Sequence, residues 1–295
     1  MKWDDKGPSE DLEDRRGESS GGGGGFRLGG GRLGIGGFLV LLVLSVVFKT
    51  DLTGALGGGG GDVAPPSQSA DPAAGPSASP AQTTAQEEQL AHFMSFVLDD
   101  AQDNWAQIFR AGNAQYTRAR LVLFRDQVNT GCGGAQSATG PFYCPADQKV
   151  YVDLGFYDEL RRRFGAPGDF AQAYVLSHEI GHHVQNLLGT ERKMRQLQQR
   201  NPGARNELSV RLELQADCYA GIWGKHAQQA GRLDEGDVDE ALKAASAVGD
   251  DRISEMTGSS IRPESFTHGS AAQRMTWFRR GFDSGRLESC DTFAQ

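Results

Sequence analysis

The sequence has no surplus of positive charge. Its 30 lysines and arginines are outnumbered by 38 aspartates and glutamates, which leaves a formal net charge of -8. Nucleic acids and anionic surfaces attract basic proteins, so this balance does not favour nucleic-acid binding as the main task. The sequence also shows no internal repeat, no nucleotide-binding motif and no C-x-x-C pair. The last absence argues against a zinc ribbon.

Cysteine is scarce, with only four in the chain. An even number of cysteines in an exported protein predicts two disulfides. Cys132 and Cys144 flank a loop that a disulfide would close, and Cys218 and Cys290 would then pair by elimination. The alternative is four buried free thiols.

Only one long hydrophobic run is present, LGIGGFLVLLVLSVVF at residues 33–48. With its flanks it extends over residues 31–50, close to the roughly 20 residues that a helix needs to cross a bilayer. We therefore predict a single transmembrane anchor there. A cleaved signal peptide is the alternative, but the long preceding region and the charged Lys49 and Asp51 just after the run argue against it.

The segments around this run predict the membrane topology and the domain boundaries. Lysines and arginines favour the cytoplasmic side of a span, and only Lys49 follows the run closely. The arginines that precede it are Arg15, Arg16, Arg27 and Arg32. We expect a disordered cytoplasmic tail at 1–30 and a Gly-, Pro-, Ser- and Ala-rich linker at 51–86. The extracytoplasmic domain then covers 87–295.

Periodicity within residues 87–295 predicts an α+β domain that is mostly helical with a small sheet. Apolar residues at helical spacing predict helices over 87–112, 155–165, 168–189, 205–230, 237–248 and 270–282. Residues rich in β-formers predict strands over 119–128 and 149–154. Asp169 is the expected N-cap of the helix over 168–189, and Ser270 with Gln273 forms an expected capping box.

The helix over 168–189 contains His178-Glu179-Ile180-Gly181-His182, which matches H-E-x-x-H. Residues four apart lie on one face of a helix, so His178 and His182 can direct nitrogens at one zinc ion. Glu179 would lie beside the open coordination position and act as a general base. The alternative is a helix whose polar residues face water.

A catalytic zinc ion needs a third protein ligand, and the third histidine of the metzincin pattern is missing. The best candidate is Glu213, which follows His182 by 31 residues and shares a helix face with Asp217. Asp217 would accept a hydrogen bond from a zinc-binding histidine. Glu207, or Asp217 itself, is the alternative ligand.

Other polar residues could assist such a site. His268 lies just before a helix N-terminus and could donate a hydrogen bond to an oxyanion. His183 is one residue from His182, about 100° around the helix, and is not expected to bind the same metal. Three tyrosines remain as unranked donors: Tyr143, Tyr151 and Tyr219.

Four stretches of the chain carry a family resemblance. They are GPFYCPADQKVYVDL (140–154), HEIGHHVQ (178–185), ELQADCYAG (213–221) and ESFTHGSAAQR (264–274). Together they resemble the bacterial membrane-anchored "putative neutral zinc metallopeptidase" family, with a gluzincin-like H-E-x-x-H plus E-x-x-A-D arrangement. The resemblance implies a zincin-like fold and one catalytic zinc ion on His178, His182 and Glu213, with Glu179 as general base.

These residues together predict a membrane-anchored zinc-dependent metallopeptidase. In the expected reaction, zinc-bound water attacks a peptide bond with Glu179 as base and then acid. The expected partners are a peptide or protein substrate and the membrane, and no nucleic acid. The alternatives are a catalytically silent, zinc-stabilised envelope scaffold or binding protein, and hydrolysis of a non-peptide amide.

Overall fold

A computed structural model of the chain describes residues 1–18, 84–164, 168–258 and 262–294. The helices of this part are α1 (Ala85–Ala111), α2 (Gly155–Phe164), α3 (Asp169–Leu187), α4 (Thr190–Arg200), α5 (Arg205–Gln229), α6 (Asp237–Ala247), α7 (Asp250–Thr257) and α8 (Ala271–Ser284). The strands are β1 (Leu12–Asp14), β2 (Arg120–Phe124), β3 (Gln127–Thr130), β4 (Gly133–Gln136), β5 (Phe142–Cys144) and β6 (Lys149–Asp153). The predicted α+β class, mostly helical with small sheets, is confirmed.

Local capping explains where several helices begin. The side chain of Thr84 accepts a hydrogen bond from the backbone N–H of Glu87, and the Glu87 carboxylate accepts one from the backbone N–H of Thr84, which starts α1. Ser270 and Gln273 form the same reciprocal pair at the start of α8, as predicted. The predicted cap at Asp169 is wrong, because Gly168 is the cap and Asp169 is the first helical residue.

The main sheet has the strand order β1-β2-β6-β5. Strands β1, β2 and β6 are parallel, whereas β5 pairs antiparallel with β6 at the edge. Because side chains alternate along a strand, Leu121 and Leu123 of β2 enter the main core, while Val122 and Phe124 enter a smaller cluster on the other face. Strands β3 and β4 form a separate hairpin.

The helices pack closely where small residues allow it. A Cβ atom added at Gly281 of α8 would lie 1.9 Å from the carbonyl oxygen of Cys218 in α5, so only glycine fits at this crossing. The interior of the helical layer is filled by large side chains that are fully buried, among them Trp105, Trp223 and Phe170. This core holds α3 and α5 side by side.

Two disulfides complete the fold. Cys132 pairs with Cys144 and Cys218 pairs with Cys290, with Cα atoms 5.8 Å and 5.6 Å apart. Both separations are normal for disulfides. The predicted pairing is confirmed, and the alternative of four free thiols is excluded. The second disulfide ties the C-terminal end of the chain to α5.

The structure differs from the expected disordered tail at 1–30. Residues 1–18 are ordered and supply β1, because their polar side chains and backbone find partners far along the chain, which composition does not reveal. The predicted anchor at 31–50 and most of the predicted linker at 51–86 lie outside the described residues. Within the described ranges, no helix is both long and apolar enough to cross a membrane.

Candidate metal centre

Helices α3 and α5 carry the polar residues of the candidate site and touch at Gly181. A Cβ atom on Gly181 would lie 3.0 Å from the backbone oxygen of Ala216, so a larger residue would push the helices apart. His178 and His182 are one helical turn apart on α3, and their ring centroids are separated by 4.8 Å. The close packing of α3 and α5 places Glu213 opposite both rings.

The three predicted ligands meet in one group. One donor atom each from His178, His182 and Glu213 can be chosen so that all lie within 4.8 Å of one another. Glu213 Oε2 lies 3.2 Å from His178 Nε2, and its Oε1 lies 3.6 Å from His182 Nε2. Two imidazole nitrogens and one carboxylate are the donor set of catalytic zinc sites that keep an open position. The residues present therefore fit a zinc ion.

Glu207 and Asp217, the two alternative ligands, do not belong to this three-residue group. Glu207 is exposed and forms an ion pair with Arg211 at 2.8 Å, one turn along α5. Asp217 is fully buried and faces the opposite edge of the His178 ring: its Oδ1 lies 2.9 Å from Nδ1. Asp217 thus stands where a carboxylate orients a zinc-binding histidine, with Nε2 of His178 turned toward Glu213.

Two further side chains hold Asp217 in place. Arg274 of α8 donates from Nε to Oδ2 at 2.8 Å and from Nη2 to Oδ1 at 2.9 Å. Tyr174, one turn before His178, donates its hydroxyl to Oδ1. Burial alone would raise the pKa of Asp217, but the charges of Arg274 and His178 outweigh it and the pKa is lowered. Asp217 is therefore an anion whose two oxygens both accept hydrogen bonds.

Histidines and carboxylates alternate through the site, and each changes the pKa of its neighbours. Burial lowers the pKa of His182, but the charge and hydrogen bond of Glu213 raise it to about 10. Burial also opposes the charged form of His178, and Asp217 and Glu213 together raise its pKa. The pKa of Glu213 is held well below its ordinary value by both histidines, against the effect of burial. Without metal, the His182 imidazole is therefore protonated at neutral pH, and the pKa of His178 shifts in the same direction.

A chain of side-chain amides supports His182. Gln185 Oε1 lies 2.9 Å from Nδ1 of His182, and Gln185 Nε2 donates to the Leu212 carbonyl at 2.7 Å and to Gln215 Oε1 at 3.2 Å. Gln215 Nε2 in turn donates to the carbonyl of Cys290 at 3.0 Å. The orientation of the His182 ring is therefore connected to the disulfide-bonded C-terminal segment.

Glu179 differs from the other acids of the site. It is buried, with 8% of its surface exposed, and it is next to His178 in sequence. Within the described part of the chain, no ion pair or hydrogen bond joins its side chain to another residue. Its charge acts on His182, where it contributes to the raised pKa. A carboxylate with free oxygens beside a metal-binding group can accept a proton from water.

His268 belongs to the same neighbourhood. Its Nδ1 lies 3.1 Å from Oδ1 of Asp250, whose Oδ2 also accepts the backbone N–H groups of Thr267, His268 and Gly269. Burial lowers the pKa of His268, but Asp250 and the charge of Glu213 outweigh burial and raise it. The raised pKa favours the cationic form of the His268 ring near Glu213, and none of the described residues forms a hydrogen bond with its Nε2.

The remaining candidates have structural partners instead. His183 is fully buried, accepts at Nδ1 from the Tyr143 hydroxyl at 3.0 Å and donates from Nε2 to the Thr117 carbonyl at 2.6 Å. Both of its nitrogens are used, so it has none for a metal. Tyr151 donates to Asp147. Tyr219 packs edge-on against Trp105.

Sequence reasoning missed four residues of this neighbourhood: Tyr174, Gln185, Asp250 and Arg274. Tyr174 and Gln185 had a usable signal, because they lie four residues before His178 and three after His182 on the same helix. Asp250 and Arg274 had none, since they reach the site from α7 and α8 through contacts distant in sequence.

Comparison with known proteins finds similar chains in several bacteria. An Escherichia coli (strain K12) protein called "Uncharacterized protein YpfJ" is 48% identical over 301 residues, which cover 100% of this chain and 99% of that protein. A Mycobacterium bovis protein, "Uncharacterized protein Mb2605", is 47% identical over 190 residues, 61% of this chain and 64% of that protein. No solved structure matches the chain.

The family comparison covers nearly the whole sequence. The model of the family described as "Putative neutral zinc metallopeptidase" matches residues 1–293, so the matched range includes both the candidate metal centre and the N-terminal strand β1. The chain belongs to this family.

Proposed function

We propose that the protein is a zinc-dependent metallopeptidase with a zincin-like fold, and that His178, His182 and Glu213 hold one catalytic zinc ion. The observation that carries the proposal is the three-ligand group with an unpaired, buried Glu179 beside it. A purely structural zinc site has four protein ligands and needs no free carboxylate. Three ligands with an adjacent base are the arrangement of hydrolytic sites.

Each residue has a distinct task in the proposed reaction. A zinc ion held there would supply Lewis-acid chemistry, polarising a carbonyl group and lowering the pKa of water. Glu179 accepts the proton of the attacking water and then delivers it to the leaving amine. Asp217, held in place by Arg274, accepts a hydrogen bond from Nδ1 of His178, so that Nε2 of this ring faces Glu213. His268, fixed by Asp250, donates a hydrogen bond to the oxyanion.

The disulfides support an exported location for the domain. Structural disulfides form and persist outside the reducing cytoplasm, and this chain has two, separated by 12 and 72 residues in sequence. We therefore propose that the site lies outside the cytoplasm and acts on peptides or proteins there.

The test compares Glu179→Gln with the wild-type full chain. The full chain is needed because residues 1–18 are part of the folded body. Zinc content is measured by elemental analysis, and cleavage is measured on a peptide library. We expect about one zinc per chain in both proteins, and a rate loss of about 10²- to 10⁴-fold in the variant, since that is what a general acid–base group contributes.

The outcomes separate the competing functions. Stoichiometric zinc with no cleavage by the wild-type protein would favour the zinc-stabilised scaffold. Cleavage of amides but not of peptides would favour a different amide substrate. Equal rates for wild type and Glu179→Gln would remove Glu179 from the mechanism, and absence of zinc from the wild type would end the proposal.

A further inference from the structure

Residues 1–18 are built into the same folded body as the candidate metal centre. Strand β1 pairs with β2 in parallel, with Leu12 opposite Leu121 and Asp14 opposite Leu123. Backbone hydrogen bonds continue at both ends of the strand, from Leu121 N to the Asp11 carbonyl at 2.9 Å and from Arg15 N to the Leu123 carbonyl at 2.8 Å. Without β1, this edge of β2 would leave its backbone groups unpaired.

Aromatic packing extends the contact beyond the strand. The ring of Trp3 lies 5.4 Å from the ring of Phe93 and 6.2 Å from that of Phe96, both on α1. Phe93 is only 4% exposed and belongs to the main core. Trp3 therefore covers part of the core surface of α1, and its removal would expose apolar area to water.

Several charges of residues 1–18 are paired with charges of the folded domain. Asp11 accepts from Arg118, which also pairs with Asp99. Glu13 pairs with Lys149 of β6 at 2.8 Å. These pairs join the segment to α1, to the start of β2 and to β6.

Arg16 is the most informative of these charges because it is buried, with 3% of its surface exposed. Its Nη2 lies 2.6 Å from Asp14 and 3.0 Å from Glu88, and its Nη1 donates to the Glu87 carbonyl at 3.2 Å. A buried guanidinium is costly without partners, and two of the three partners belong to the first turn of α1. Arg16 can make its contacts with Glu87 and Glu88 only when residues 1–18 lie against α1.

We propose that residues 1–18 dock in cis, that is, onto the folded domain of their own chain. They therefore lie in the same compartment as the candidate metal centre. Paired strands are about 4.8 Å apart, whereas the hydrocarbon core of a bilayer is about 30 Å thick, so β1 and β2 cannot lie on opposite sides of a membrane. This differs from the topology expected from the sequence, with residues 1–30 in the cytoplasm and the domain outside. The proposal does not depend on the peptidase activity.

The test uses cysteines at Asp5 and His92, whose side chains are partly exposed and lie 3.1 Å apart between Oδ2 and Nδ1. The four native cysteines are in disulfides, so introduced cysteines supply the reactive thiols. Asp5→Cys and His92→Cys are expressed singly in the full chain in bacterial cells. Each is treated with a membrane-impermeant maleimide before and after the cells are opened. The double variant is treated with a short bis-maleimide.

We expect the two single variants to label alike in intact cells, both reactive or both protected. We expect the double variant to lose both thiols while it still migrates as a monomer. Labelling of one site and protection of the other in intact cells would overturn the proposal. A cross-linked dimer would overturn docking in cis, because residues 1–18 would then come from a second copy. Each single variant is the control for non-specific cross-linking.

Discussion

The side-chain oxygen of Gln185 lies 2.9 Å from Nδ1 of His182, and both residues are on α3. This contact selects the tautomer of His182 in which Nδ1 carries the proton, so that Nε2 faces Glu213. Gln185 therefore orients the ring of His182 in the same way as Asp217 orients the ring of His178. The two imidazoles are oriented by different chemistry, one by a neutral amide and one by a buried anion.

Replacement of Gln185 by leucine is expected to weaken zinc binding while the fold is kept. Loss of an outer hydrogen-bond partner typically costs about 10- to 100-fold in metal affinity. The dissociation constant is measured by competition with a chelator. Gln198→Leu is the matched control, because Gln198 donates to Arg205 and Ser209, away from the ligands. Equal zinc affinity in the two variants would show that Gln185 does not position His182.

Loss of the Cys218–Cys290 disulfide is expected to cost more stability than loss of Cys132–Cys144. The two bonds join residues separated by 72 and 12 positions. In the chain-entropy description the longer loop is worth roughly 4 kcal/mol and the shorter one roughly 3 kcal/mol. Double serine variants of each pair are compared by urea unfolding.

The same two variants also test the contact between Gln215 and the Cys290 carbonyl. Only the variant without Cys218–Cys290 should lose zinc affinity, because only that disulfide holds the carbonyl that Gln215 reaches. A larger loss of zinc affinity in the variant without Cys132–Cys144 would contradict this expectation.

Arg274→Met is expected to destabilise the protein by about 3–5 kcal/mol, because it removes the buried cation that donates to both oxygens of the buried Asp217 carboxylate. Arg274 is 3% exposed and donates to both Asp217 oxygens. Arg279→Met, on the exposed side of the same helix, is the control and should change stability by less than about 0.5 kcal/mol. Free energies of unfolding are measured with urea. A similar small effect of both substitutions would show that the Arg274–Asp217 pair contributes little.

Zinc binding is expected to release protons at neutral pH. The pKa of His182 is raised to about 10, so its ring is positively charged at neutral pH in the metal-free protein, and the pKa of His178 is raised as well. Zinc binds neutral imidazole, so at least about one proton per zinc, that of His182, should leave near pH 7. Calorimetric titrations in buffers of different ionisation enthalpy measure this number. Binding without proton release would mean that the histidines are already neutral.

The raised pKa values of the two histidines also determine whether the metal-free protein gains or loses stability as the pH rises. A histidine whose pKa is raised by folding adds stability below its unfolded pKa, near 6.5, and that stability is lost as pH rises through the folded value. For His182 the loss should extend to about pH 10. Unfolding free energies at pH 7 and pH 10, with a chelator present, measure the change. A gain in stability over this range would contradict the raised pKa.

The sequence alone determined the parts of the protein that depend on local spacing. Four-residue periodicity placed His178 and His182 on one helix face, and capping chemistry located the start of α8 at Ser270. The disulfide pairing also followed from simple elimination. These predictions succeed because a helix converts sequence spacing directly into geometry.

The tertiary structure decided what depends on contacts between distant parts of the chain. The packing of α3 on α5 places Glu213, and not Glu207, opposite both histidines, and only α8 brings Arg274 to Asp217. Residues 1–18 look like a disordered tail by composition, yet they form β1, because their order comes from pairing with β2 more than 100 residues later. Local sequence cannot report such order, since the stabilising partners are supplied by the folded body itself.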